Sequence, residues 1–157
     1  MAGERLSRGD LLFLIGLLSV FGIADAAYLT WQWYEAANST WCDISSYLSC
    51  TRVRLSPYAS FAGVPTAAIA LAGFAVVLLL VFLAFRGLIH LGPWRLDRWI
   101  LALASAGAVF GTSLTAIEVF VIQAICILCV IGFAMGLGIL GVAFALAREE
   151  TSPASAP

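Results

Sequence analysis

The chain has 157 residues, 62% of them hydrophobic and only 11% charged, with a mean hydropathy of +1.03. That balance excludes an ordinary soluble domain and points to a membrane protein. A formal net charge of -1 leaves no basic patch to release counterions from phosphates, which argues against nucleic acid as a partner.

After the charged head 1–10, MAGERLSRGD, a first span runs from Leu11 to about Tyr34 with Asp25 as its only charge. It is too long for the apolar core of a secretory signal, so it reads as a retained helix. A second span, about Pro65 to Phe85, carries no charge. Beyond the link RGLIHLGPWRLDR, the stretch from Trp99 to Ala147 has only Glu118 charged and is long enough for two crossings. Each crossing of a bilayer core of roughly 30 Å takes about 20 residues. The expected fold is all-α and integral to the membrane: four transmembrane helices, residues 11–147, with a polar tail over 148–157.

The last turn has no Gly or Pro to mark it. Helical neighbours three apart sit wider than a disulfide's Cβ atoms, so a bridged Cys-x-x-Cys fits best in a first helical turn. CILC therefore starts the fourth helix near Cys126, and the third ends near Val121.

Arginine placement sets the expected orientation. Arg5, Arg8, Arg86, Arg95, Arg98 and Arg148 fall on one side of this topology, and Arg52 and Arg54 on the other. Both termini are then cytoplasmic. Tyr28, Trp31, Trp33, Tyr34 and Trp41 mark the outer boundary of the first span, and Trp94 and Trp99 the inner link. The loop Glu35–Val64 lies outside, and Cys42, Cys50, Cys126 and Cys129 share the oxidising face. Within the loop, LSPYASFAGVP reads as a short helix, with Ser56 as N-cap, Pro57 at its first position and Gly63 as terminator, lying over the bundle as a lid. Gly107/Gly111 and Gly132/Gly136 have the spacing of close helix approach.

A helix N-terminus favours a thiolate, so Cys126 is the expected exchange thiol, with Cys129 one turn deeper toward the interior. An apolar site between helices suits a flat, lipid-soluble quinone. Cys42 and Cys50, flanking DISSYLS, can reach each other and also Cys126, which makes a two-pair electron relay. The plain alternatives are a loop staple at Cys42–Cys50, contributing roughly 2.5 kcal/mol, and two buried hydrophobes at Cys126 and Cys129. A four-cysteine zinc site fits poorly with one long spacing and an oxidising compartment, so no metal is expected. Glu118 is either an interfacial carboxylate or a proton source beside the cysteines. Asp25 suits an interhelical hydrogen bond or a redox role, and His90 belongs to the solvated link.

CDISSYLSC followed by TRVRLSPYASFAGVP and then CILC resembles the vitamin K epoxide reductase family, in particular its small prokaryotic members, over about residues 10–147. The resemblance implies a four-helix transmembrane bundle in which Cys42 exchanges with a thioredoxin-fold partner. Cys50 forms the relay disulfide with Cys126, and Cys129 acts on a quinone, ubiquinone or menaquinone. Ser56 matches the family's serine near the quinone, and Phe133 stands where vitamin K-reducing animal members have a tyrosine. Ser56, Phe61, Phe133 and Glu118 are the candidate quinone contacts.

Many prokaryotic members carry a fused thioredoxin domain, whereas this chain stops at REETSPASAP, so a separate thioredoxin-fold disulfide-forming protein is the expected partner. The expected activity is quinone-dependent disulfide formation at the cell membrane. The alternatives are vitamin K or vitamin K epoxide reduction on the same scaffold, and a noncatalytic stapled membrane protein.

Overall fold

The computed structural model describes residues 6–35 and 41–151, with side chains described as far as Glu149. Arg5, loop positions 36–40 and the tail from 152 onward lie outside the described residues. Helices α1 (Arg8–Tyr34), α2 (Cys50–Arg54), α3 (Thr66–Phe85), α4 (Leu96–Ile117) and α5 (Ile127–Thr151) follow in order, with a π-helical turn, Glu118–Ile122, after α4. Four helices are long and apolar enough to cross a membrane: Arg8–Tyr34, Thr66–Phe85, Leu96–Ile122 and Ile127–Glu149. They form the expected all-α bundle. Helix α1 packs against α3 and α5, and α4 packs against α5 and α3.

Local chemistry fixes the helix ends. Ser7 and Asp10 form a reciprocal capping box that starts α1. The third span starts earlier than hydropathy suggests, at Leu96 rather than Trp99. The reason is Asp97: fully buried, its carboxylate takes two hydrogen bonds from Arg8 at 2.9 and 3.2 Å and lies 3.6 Å from Arg95. A carboxylate suits the first turn of a helix, and the arginine pairing makes its burial there tolerable. The pairing also ties the N-termini of α1 and α4 together. Asp97→Ala is expected to destabilise the bundle by about 2 kcal/mol, at or below the low end for broken buried pairs because both guanidiniums keep partial access to water. Thermal unfolding in detergent measures it.

The outer loop does carry a short helix, but not where the Ser-Pro signal suggested. The α-helical turn is α2, capped by Ser49, whose side chain accepts the Arg52 N–H at 3.2 Å. Pro57–Ala59 is a single 3-10 turn, and Ser56 makes no side-chain cap there; its hydroxyl donates to the Val53 carbonyl instead, at 2.7 Å. The chain then reverses. β1 (Ser60–Phe61) pairs antiparallel with β2 (Val64–Pro65) through a turn in which Ala62 and Gly63 both have positive φ, 51° and 82°. Two positive φ values make the tight hairpin turn that suits twisted strands, so Gly63 serves a hairpin and not a helix end.

A matching hairpin, β3 (His90–Leu91) with β4 (Trp94–Arg95), leads into α4 at the opposite end of the bundle. His90 is exposed there, away from the cysteines.

The packed core lies in the half remote from the cysteines, where Leu12, Ile15, Val81, Ile100, Ile139 and Leu146 interlock. A second, smaller cluster gathers Cys42, Cys50 and Cys126 with Val53, Ala124 and Leu128. Between the two clusters the bundle is hollow.

Candidate functional site: two cysteine pairs at the mouth of a cavity

Cys42 and Cys50 form a disulfide with Cα atoms 5.9 Å apart. Both residues are buried, 0% and 3% exposed. Asp43 organises the loop around them: its carboxylate accepts the Ser49 hydroxyl at 2.8 Å, the Thr51 N–H at 3.0 Å and the Thr51 hydroxyl at 2.5 Å. Three donors on one carboxylate hold the first turn of α2, and with it Cys50, in place. Trp41 and Gln32 each donate to the Tyr28 hydroxyl, and Arg54 donates to the Gln32 carbonyl, so the loop is tied to the end of α1.

The loop is also stitched to the entry of α5. Leu48 and Ile125 form a parallel bridge in which Ile125 N–H donates to Tyr47 O at 2.8 Å and Ser49 N–H donates to Ile125 O at 3.1 Å. Cys50 and Cys126 each follow this bridge closely in sequence. Their sulfurs are 3.0 Å apart. Sequence reading missed the bridge, because neither segment carries a strand-like alternation.

The turn between α4 and α5 needs no glycine because Gln123 adopts the left-handed conformation, φ 54°. The π turn brings Glu118 back toward the cysteines: its backbone carbonyl accepts Ala124 N–H at 3.2 Å, and its side chain accepts Cys126 N–H at 3.2 Å. At 5% exposure this carboxyl is buried beside the thiols and does not snorkel to an interface.

Cys126 and Cys129 are free thiols. The Cys129 N–H, in the first turn of α5, donates to the Cys126 sulfur at 3.4 Å. A hydrogen bond from the Cys129 side chain holds the Cys126 thiol below its ordinary range, against burial and the Glu118 charge, which push it up. The Cys126 sulfur faces that of Cys50.

Cys129, like Cys50 and Cys126, lines a cavity of about 470 Å³, the size of a small-molecule site, with mainly apolar walls from α1, α3, α4 and α5. Ser56, Glu118 and Phe133 line it as well. Phe61 does not: the hairpin turn leaves it 73% exposed on β1, away from the expected quinone contact.

The glycine spacings turn out to shape this cavity. A Cβ on Gly111 would meet the Phe133 ring at 2.4 Å, and one on Gly132 would meet Asp25 Oδ2 at 2.8 Å. Gly107 and Gly136 line the cavity with nothing within 4 Å of a built Cβ, so they create space and not helix contact. Gly111→Ala is expected to push the Phe133 ring into the cavity and to cost about 1–3 kcal/mol in overpacking, read as a lower melting temperature and weaker binding of a quinone analogue.

Among the described residues no group of His, Cys, Asp and Glu could hold a metal ion. What the fold and site define is a multi-pass membrane protein with a disulfide, two neighbouring thiols and a mainly apolar cavity: the architecture of a thiol oxidoreductase. The chain belongs to the vitamin K epoxide reductase family, whose model matches residues 13–144. Its members are oxidoreductases that pass electrons between thiols and quinones. A comparison with curated proteins finds no match.

Proposed function

We propose that this protein takes electrons from a soluble thioredoxin-fold dithiol protein and delivers them to a quinone, ubiquinone or menaquinone, so that disulfides form outside the cytoplasm. The observation that carries this reading is the 3.0 Å approach of the Cys126 sulfur to the Cys50–Cys42 bridge, with Cys129 opening on the cavity.

The relay balances in four exchanges. A partner thiolate attacks Cys42 and releases Cys50; the partner's second thiol resolves the mixed disulfide, and the partner leaves oxidised. Cys50 then attacks Cys126 of an oxidised inner pair and frees Cys129. Cys42 attacks Cys50 in turn, which closes the outer bridge and leaves Cys126 and Cys129 as a dithiol. The Cys42–Cys50 bridge beside two free thiols is compatible with such a product. The inner dithiol finally gives up two electrons and two protons to the quinone, and the Cys126–Cys129 bridge re-forms.

Glu118, buried against the Cys126 amide, is suited to carry a proton between thiol and quinone. Ser56 and Phe133 supply cavity wall. The arginine distribution supports a cell-membrane orientation with cytoplasmic termini, residues 11–147 spanning, and the cysteine end on the periplasmic or extracellular side. Because Cys42 is buried, attack by the partner requires the loop to loosen.

The test mixes a reduced thioredoxin-fold protein with the purified protein and decylubiquinone. The partner is expected to become oxidised in step with loss of quinone. Oxidation of the partner without quinone loss would count against the relay.

A pH dependence follows from the lowered Cys126 thiol. Because its thiolate persists to lower pH than an ordinary cysteine's, attack of Cys126 on the bridged Cys50, the reverse of the step that closes the outer pair, rises with pH and levels off below the usual thiol range. Cys129→Ser keeps a hydrogen-bond donor, whereas Cys129→Ala removes it and moves the midpoint to higher pH. Mass-spectrometric detection of the Cys50–Cys126 bridge across a pH series compares the two.

A further inference from the structure

The cavity contains a second carboxyl that the relay leaves unused. Asp25, on α1, lines the cavity, and its Oδ2 stands against α5 at Gly132, where a built Cβ would come within 2.8 Å of it. Among the described residues Asp25 forms no hydrogen bond or ion pair. An ionisable side chain within a membrane span costs about 3 kcal/mol on insertion scales and is in general tied to function. Here no structural partner accounts for it, and Gly132 is the gap that admits it to the cavity.

The placement along α5 is informative. Glu118 is bound at Cys126, and Asp25 abuts Gly132, about 9 Å farther along the helix axis, with Cys129 midway between them. A para-quinone carries its two oxygens at opposite ends of a ring, and each oxygen needs a proton when the ring takes up two electrons. We propose that Asp25 is the acid for the quinone oxygen remote from Cys126, with Glu118 serving the nearer one.

This inference rests on the quinone reading above. In balanced form, the two S–H bonds of Cys126 and Cys129 break and one S–S bond forms. Two electrons pass to the quinone, and two O–H bonds form on it. Asp25 in its acid form gives its proton to one of those oxygens and takes up a thiol proton in return, so the carboxyl is regenerated and no further reagent is needed.

The test measures the full-length protein in detergent with decylubiquinone. Trp33 lines the cavity, so quenching of tryptophan fluorescence reports binding independently of turnover. Asp25→Asn keeps the shape and a hydrogen-bond donor but not the acid. It is expected to lower kcat about 100-fold while leaving KM and the binding constant within about twofold of wild type. Gly132→Ala, which drives a methyl into the carboxyl, lowers kcat as well, and adding it to Asp25→Asn lowers kcat little further, because both act on one group. Cys50–Cys126 exchange, a check on folding, stays at wild-type rate in each variant.

Turnover of Asp25→Asn within twofold of wild type would overturn the proposal while the quinone reading stands. So would a fall in kcat matched by loss of binding, which marks a shape role. Wild-type protein that neither binds nor reduces quinone overturns both readings together.

Discussion

Cys129→Ala is expected to abolish quinone reduction, by more than about 1,000-fold, because the thiol that opens on the cavity and closes the inner disulfide is gone. Cys126→Ala should cost the same, and the double variant no more, since the two sulfurs act as one dithiol. Fold stability should change far less, because Cys129 is only partly buried and its loss leaves a small void. Decylubiquinone reduction driven by a reduced partner protein, set beside a thermal melt, separates these effects. Equal loss of both would mean the cysteines chiefly hold the bundle together.

Cys42→Ala should arrest the relay midway. Cys50, no longer bridged and with its sulfur 3.0 Å from that of Cys126, attacks Cys126 once quinone has oxidised the inner pair, and Cys42 is no longer there to carry the exchange forward. The expected result is a stable Cys50–Cys126 disulfide linking the outer loop to α5, a free Cys129, and partner-driven turnover reduced at least about 100-fold. Peptide mapping under non-reducing conditions detects the link. A variant in which Cys50 stays a free thiol with the inner pair oxidised would show that the loop does not deliver it to Cys126. The Leu48–Ile125 bridge makes that delivery local: it holds the backbone on both sides within hydrogen-bond distance.

The large features were legible because they follow from patterns that span many residues. Four long apolar runs with Asp25 and Glu118 as their only charges gave the four spans, and CILC gave the start of the last helix, α5, which begins at Ile127. What was not legible depends on single conformations or on pairs distant in sequence. Ala62 and Gln123 adopt positive φ without being glycine, so Gly63 alone read as a helix end where it closes a hairpin, and the turn into α5 left no compositional signal. Asp97 reads as part of the polar link by hydropathy, and only its pairing with Arg8, remote in the chain, shows it buried at the start of α4. Ser49, three residues before Arg52, was available as an N-cap signal, but Ser56-Pro57 is the stronger one in sequence and drew the helix too far along. The contact of Gly132 with Asp25, and of Gly111 with Phe133, could not be read from small-residue spacing, which marks an opening without saying what fills it.

The central claim is an ordered transfer of electrons through two cysteine pairs to a quinone. The most direct measurement starts from fully reduced wild-type protein, adds decylubiquinone without oxygen, quenches at intervals with acid and a thiol-blocking reagent, and maps the disulfides while following quinone absorbance. Quinone loss is expected to begin with the Cys126–Cys129 bridge, a Cys50–Cys126 link to pass through a maximum, and Cys42–Cys50 to close after it. Closure of Cys42–Cys50 without a preceding inner bridge, or the absence of quinone loss with ubiquinone and menaquinone analogues alike, would contradict it.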